Sequence, residues 1–363
     1  MIRPDHILKK LNDSGFEAFY VGGCVRDSLL GRPIHDWDIT TSALPEQVMG
    51  LFRRCIPTGI KHGTVTVVEG KTVYEITTFR ADGSYADGRR PDTVRFVSSL
   101  EQDLVRRDFT VNAMAMDRQG RLHDPVNGQA DLARKLLRAV GDPAKRFTED
   151  ALRMLRGLRF SAQLGFAIEE NTVKGIRVCA ELCQKLSAER VRDEVEKTLL
   201  SARPQIVGEM AEIGLLARFL PMENRPMNDL AQLPRERTVR WAGLCRSYPE
   251  LDLTVLRLDK VTARNAKTVS QLRQPADRLE WKRLLSEQGT ERGLLAGDLF
   301  GQRSAVEEIL ESGEPFRLCD LAVTGKDLPH ITGTALGQTL HRMLDHVLLH
   351  PEDNTAERLM DLC

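Results

Sequence analysis

The stretch "VGGCVRDSLLGRPIHDWDITTS", residues 21–42, sets two carboxylates, Asp36 and Asp38, two positions apart inside a short apolar run. Side chains of a strand alternate between faces, so a strand here turns Asp36, Asp38 and Thr40 one way and Trp37 and Ile39 the other. The apolar pair can anchor a core while both acids face a cleft. Carboxylates roughly 7 Å apart repel unless cations lie between them, and paired divalent ions at about 3.5–4 Å suit that spacing. Mg2+ is the natural candidate, because carboxylates fill only part of its octahedron and phosphate oxygens and waters complete it. Alone, a DxD pattern is more often a solvated strand edge. Here Gly22 and Gly23, a helix start and Arg26 stand directly upstream, and glycine lets backbone N–H groups approach a phosphate. Neither GxGxxG nor GxxxxGK[ST] occurs, which excludes the dinucleotide-binding and P-loop turns.

Around this stretch the first 140 residues mix strand and helix signals. "EAFYV" (17–21) reads as a strand ending at the glycine pair, "VRDSLL" (25–30) as a short helix stopped by Gly31, and "GTVTVVEGKTVYEITTFR" (63–80) as a hairpin around Glu69-Gly70-Lys71. "RADGSYADGRRPDTVRF" (80–96) has the Gly, Asp and Arg content of a mobile surface loop. From about residue 145 the spacing turns helical. "FTEDALRMLRGLRFSAQLGF" (147–166) predicts a helix capped by Thr148, and "SAERVRDEVEKTLL" (187–200) one capped by Ser187. Prolines 204, 221, 226 and 234 mark a boundary between helical modules, and residues 240–363 read as all-helical.

A length of 363 residues allows two or three units with separate cores. Fifty-two basic and 52 acidic side chains cancel, so any polyanion must be held by local patches. Residues 1–200 hold 31 Lys and Arg against 28 Asp and Glu, which puts the small positive excess in the first half. Seven cysteines without a CxxC pair fit free thiols in a reducing compartment, the cytoplasm. The opening "IRPDHILKKLNDSGF" lacks the apolar segment of a secretory signal, and no membrane span is expected.

The motif "GGCVRDSLLG…HDWDITT" resembles that of the class II tRNA nucleotidyltransferases and bacterial poly(A) polymerases, members of the polymerase-β-like superfamily. The resemblance continues in family order through "YEITTFR" (74–80), "RRDFTVNAMA" (106–115), "DPVNGQADL" (124–132), "EDALRMLRGLRF" (149–160) and "ERVRDEVEKTLL" (189–200). It implies an α+β protein: a nucleotidyltransferase head with a mixed sheet over residues 1–140, a helical neck over 141–200, and a helical body and tail over 201–363 that grips tRNA. Asp36 and Asp38 would hold two catalytic Mg2+ ions, one helping to deprotonate an RNA 3′-hydroxyl and one holding the triphosphate. Gly23, Arg26 and Arg107 would contact the incoming nucleotide, Asp108 and Asn112 would position their own segment, and Glu75 on the neighbouring strand is a candidate auxiliary carboxylate. The helix from 149, with Asp150, Arg153, Arg156 and Arg159, would select the nucleotide.

The chemistry of that selection can be argued from the residues. Cytosine and adenine both present an amino donor beside a ring-nitrogen acceptor, so one carboxylate acceptor next to one guanidinium donor can read either base. Uracil and guanine reverse the pattern and would leave buried polar groups unpaired, which can give discrimination of about 10⁴ or more. Without the resemblance, the same helix would be an amphipathic one with a salt-bridged edge. The expected activity is addition of C, C and A from CTP and ATP to tRNA 3′ ends; the alternatives are addition of the A alone, poly(A) synthesis, or an RNA-binding protein that has lost catalysis. Members restricted to CC addition tend to lack a loop like 80–96. No protein partner is implied.

Overall fold

The computed structural model describes residues 3–82, 94–222, 225 and 227–362, so the tip of the 80–96 loop, residues 83–93, lies outside the described residues. The chain divides into two units, Met1–Asn224 and Arg225–Cys363. Strands β1 (Ala18–Val21), β2 (Asp38–Thr41), β3 (Cys55–Gly59), β4 (Thr64–Glu69), β5 (Thr72–Thr78), β6 (Arg80–Asp82), β7 (Val94–Phe96), β8 (Ala115–Met116) and β9 (Leu122–His123) belong to the first unit. Seven of them form one sheet in the order β3-β4-β5-β2-β1-β8-β9, while β6 and β7 pair separately. Within the large sheet β2 and β5 run parallel and the other neighbours antiparallel, which makes it the mixed sheet expected from the sequence.

The alternation predicted for the DxD stretch holds in burial from Asp36 to Ile39, whereas Thr40, expected on the acidic face, is fully buried. Trp37 and Ile39 are buried and Asp36 and Asp38 exposed, although the strand itself starts only at Asp38 and Asp36 precedes it in irregular backbone. The Trp37 ring packs against Tyr20 of β1 at 4.7 Å between centroids. Ile39 of β2 and Ile76 of β5 are paired in register, and both are buried together with Val65 and Val67 of β4. The predicted hairpin is β4–β5, with Glu69 opposite Thr72, and Gly70 sits at φ 61° where a two-residue turn needs the left-handed region.

Helices α1 (Asp5–Asp13), α2 (Gly23–Leu29), α3 (Pro45–Leu51), α4 (Leu100–Val105) and α5 (Gly128–Ala133) accompany the sheet, and Ile7, Leu8 and Leu11 form the buried stripe of α1. A short parallel pair, β10 (Leu136–Leu137) and β11 (Ala167–Ile168), brackets the next helices. These are α6 (Pro143–Glu149) and α7 (Leu152–Leu164), followed by α8 (Glu170–Cys179), α9 (Ala188–Leu199) and α10 (Ile206–Glu212). The sequence expectation of one helix capped by Thr148 is corrected here. Asp142 caps α6 through a bond from the Lys145 N–H, with Pro143 at the first helical position, so Thr148 lies inside α6. Asp150 then adopts an extended conformation (φ −147°, ψ 105°), and its carboxylate accepts the Leu152 N–H at the start of α7. The chain breaks its helix at the residue proposed to meet the base.

In the second unit every described element is helical, as expected from the sequence: α11 (Arg237–Ser247), α12 (Lys260–Ser270), α13 (Arg278–Phe300), α14 (Arg303–Glu311), α15 (Gly333–Leu349) and α16 (Ala356–Met360), with short 3-10 turns. Gly289, at φ 80°, divides α13 into two helical segments. Among the described residues no helix is long and apolar enough to cross a membrane, and the six described cysteines are free thiols.

Candidate active site

The site is built where β1 hands the chain to α2. Gly22 ends the strand at φ 78°, and a Cβ there would lie 3.3 Å from Arg107 Nη1 and 3.8 Å from Asp38 Oδ2. Only glycine satisfies both the conformation and the gap, so the glycine turn, Arg107 and Asp38 form one surface. The parallel register sets Asp38 directly opposite Glu75 on β5, both on the exposed face. The Asp38 side chain reaches water, yet the protein around it raises its carboxyl to about 6: burial is the first cause, Glu75 and Asp36 add to it, and Arg107 and Arg156 oppose it. Carboxylate oxygens that destabilise one another's charge are donors a divalent cation would relieve; among the described residues no three His, Cys, Asp or Glu side chains are gathered to hold one, so such an ion would keep much of its water or draw on substrate oxygens.

Behind this cluster runs a chain of arginines and acids. Arg26, buried on α2, donates to Asp27 and, at 2.7 Å, to Asn112 Oδ1. Asn112 donates in turn to Asp108 Oδ1 (3.2 Å), and Arg156 Nε donates to Asp108 Oδ2 (2.8 Å). Burial by itself would raise the Asp108 carboxyl, but the charge and hydrogen bonds of Arg156, with Asn112, hold it down at about 2. Arg107 Nη2 donates to the buried Asp103 at 3.0 Å. The guanidinium groups of Arg26, Arg156 and Arg159 gather around the Phe160 ring at 5.2, 5.2 and 4.0 Å from its centroid. Arg159 is buried, ion-paired to Glu194 of α9 and bonded to Gln163.

Each of the two base-reading candidates has partners of its own. Asp150 Oδ2 accepts Arg190 Nη2 from α9 at 2.9 Å while Oδ1 caps α7, and a carboxylate with about four lone-pair sites retains acceptor capacity after both bonds. Arg153 donates to Glu149 Oε2 (2.7 Å) and to the carbonyls of Arg146 and Arg106 (both 3.1 Å). Both side chains are thus anchored by groups outside the Asp150–Arg153 pair. Among the sequence-selected residues the structure brings Gly23, Arg26, Asp38, Glu75 and Arg107 around the glycine turn, and Asp150, Arg153, Arg156 and Arg159 along the α6–α7 junction and α7. Sequence reasoning missed Asp103, Glu149, Phe160 and Arg190 as organisers of these groups. The i,i+3 and i,i+4 spacing from Asp103 to Arg106 and Arg107 was a readable signal; the 40-residue separation of Arg190 from Asp150 left none.

Residues 18–138 match the family model described as "Poly A polymerase head domain", and residues 165–224 the one described as "Probable RNA and SrmB- binding site of polymerase A". The chain is 54% identical over 215 residues to a CCA-adding enzyme of Leuconostoc mesenteroides, a match that spans 59% of this chain and 54% of that one. It is 39% identical over 386 residues to a CCA-adding enzyme of Enterococcus faecalis, covering 98% and 93% of the two chains. The fold superposes with a TM-score of 0.83 on the crystal structure of the Bacillus stearothermophilus CCA-adding enzyme in complex with CTP, at 34% identity over 96% of this chain and 94% of that one. Near-complete coverage at that identity, on a head carrying the carboxylate cluster and arginine chain described above, makes this chain a member of the CCA-adding enzyme family of nucleotidyltransferases.

Proposed function

We propose that this protein adds C, C and A to the 3′ end of tRNA from CTP and ATP, with no nucleic-acid template, in the cytoplasm. The observation that carries the reading is the placement of Asp150 and Arg153, each anchored by its own partner, on the segment that follows the catalytic sheet in a chain alike from end to end to a CCA-adding enzyme. In this reading residues 1–140 are the catalytic head, 141–200 the nucleotide-selecting neck, and 201–363 the tRNA-gripping body and tail.

Asp36 and Asp38, with Glu75 as auxiliary, would hold Mg2+, which when bound supplies Lewis-acid stabilisation of the charge developing on the transferred phosphoryl group. The protein's own residues do the rest. Gly23 offers backbone without a side chain, and Arg26 and Arg107 supply charge-assisted donors to the triphosphate. Arg156, clamped on Asp108, and Arg159, clamped on Glu194, set the floor under that site. Asp150 accepts from the amino group of C or A, and Arg153 donates to the adjacent ring nitrogen.

The test presents the purified protein with tRNA transcripts ending before the first C, after the second C and after the terminal A, with each labelled NTP in turn. Sequential incorporation of two C and one A, then arrest, is the expected result. ATP addition only to CC-ended tRNA would mean an A-adding enzyme, unlimited ATP addition a poly(A) polymerase, and no incorporation an RNA-binding protein.

A further inference from the structure

Asp103, on α4, is fully buried and accepts five donors. Its Oδ1 receives Arg106 Nε (3.0 Å), Arg106 Nη2 (2.8 Å) and the backbone N–H of Arg80 (3.3 Å). Its Oδ2 receives Arg107 Nη2 (3.0 Å) and, at 3.4 Å, the Thr40 hydroxyl, whose single proton is shared with the nearer Thr77 carbonyl at 3.2 Å. A carboxylate removed from water is tolerated only when its lone pairs are used, and here they are used by groups from three separate places in the chain. Burial would raise this carboxyl; Arg107 and Arg106 outweigh it and hold it below the usual carboxylate range.

What those donors do next gives the cluster its meaning. Thr40 lies two residues after Asp38 on β2, on the same strand face. Arg107, held by Asp103 through one nitrogen, has the other against Gly22, where Asp38 also lies. Arg106, folded back onto Asp103 by its side chain, turns its backbone carbonyl to Arg153 Nη2 (3.1 Å) and Arg146 Nη1 (3.0 Å). One buried carboxylate is thereby in direct contact with the strand that carries Asp38 and with Arg107, and is connected through Arg106 to the proposed base-reading arginine, Arg153.

We propose that Asp103 is a positioning residue for nucleotidyl transfer, fixing Arg107 beside Asp38 and, through Arg106, the carbonyl on which Arg153 rests. The proposal rests on the reading of Arg107 and Arg153 as nucleotide contacts given above. Asp103 touches no substrate in it; its effect is transmitted by the two arginines.

The test is a double-mutant cycle on the full chain with CTP, ATP and a CC- or C-acceptor tRNA, steady-state kinetics being read beside a thermal melt. Arg107→Ala and Asp103→Asn should each raise the KM for both nucleotides about tenfold with a smaller change in kcat, as loss of a charge-assisted contact predicts. The double variant should lose clearly less than the product of the two single losses, since both changes remove the Asp103–Arg107 interaction, and any loss beyond Arg107→Ala alone should appear as a lowered preference for CTP over UTP through Arg106 and Arg153. A folded Asp103→Asn with unchanged nucleotide KM, or a double variant whose loss is the product of the single losses, overturns the proposal while the function stands. Arg107→Ala with unchanged KM overturns the reading of Arg107 and the proposal with it. Should Asp103→Asn fail to fold, Arg106→Ala tests the other arm: preference for CTP over UTP should drop at least about tenfold, and a preserved preference in a folded Arg106→Ala overturns the proposal.

Discussion

Asp36 and Asp38 are exposed acids on either side of buried Trp37, and their work is held apart from the core by that alternation. Asp36→Ala or Asp38→Ala is therefore expected to leave the melting temperature within a few degrees of wild type while transfer falls below about a tenth; a variant above that level in Mg2+ would refute the metal assignment. Asp150 and Arg153 make a sharper case. If they read the base edge, Asp150→Ala and Arg153→Ala should lower kcat/KM for CTP and ATP together, because both bases present the same donor and acceptor, and should narrow the gap to UTP and GTP. Triphosphate binding should change less, since that energy comes from Arg26, Arg107 and the cation. Kinetics with all four NTPs decide it, and unchanged discrimination in both variants would place base selection elsewhere.

At the level of elements, the turn carrying Asp108 and Asn112 depends on a close approach and on a charge. Gly128 opens α5, and a Cβ there would stand 2.2 Å from the Thr110 carbonyl oxygen and 2.8 Å from its carbon. Backbone cannot move aside as a side chain can, so Gly128→Ala should cost about 2 kcal/mol or more in urea unfolding, at the upper end of overpacking penalties. The charge is that of Asp108. Its folded-state value of about 2 lies below the ordinary carboxylate value, so the unfolded chain takes up its proton first as pH falls. The stability it contributes is complete above about pH 4 and is lost as pH falls toward 2. The stability gap between wild type and Asp108→Asn should accordingly shrink by about 2 kcal/mol between pH 5 and pH 2; a gap constant over that range would mean that Arg156 does not depress this carboxyl. The helix prediction from Thr148 failed for a reason visible only at this scale. Pro143 and Asp142 start α6 earlier, and Asp150 is pulled into an extended conformation by capping α7 and by Arg190.

The whole molecule resolves into units Met1–Asn224 and Arg225–Cys363, and the carboxylate cluster, arginine chain and base readers all fall in the first. With balanced charge overall, the tRNA affinity proposed for this chain would have to be local. A fragment ending at residue 224 is expected to retain CTP binding, seen as Mg2+-dependent thermal stabilisation, and to lose at least about 100-fold in kcat/KM for tRNA with little change in KM for CTP. Equal activity of fragment and full chain toward tRNA would remove the second unit from substrate binding.

The order of strand, glycine turn, short helix and DxD strand was legible from residues 17–41 because local backbone preferences and a period of two act over a few positions. The β4–β5 hairpin and the helical second half were legible for the same reason. The chemistry proposed for the DxD pair came from charge repulsion, and the proposed reading of C and A from the shape of a base edge. Which partner each charge takes was decided by tertiary structure alone. Asp150 meets Arg190, Arg159 meets Glu194 and Arg156 meets Asp108 across 35 to 48 residues of chain, and Thr40 reaches Asp103 across 63. A long, flexible, charged side chain carries no record of its distant partner in its neighbours; only tertiary packing, such as that of α7 against α9, brings each pair within bonding distance and makes a burial that would be prohibitive for one unpaired charge tolerable for two.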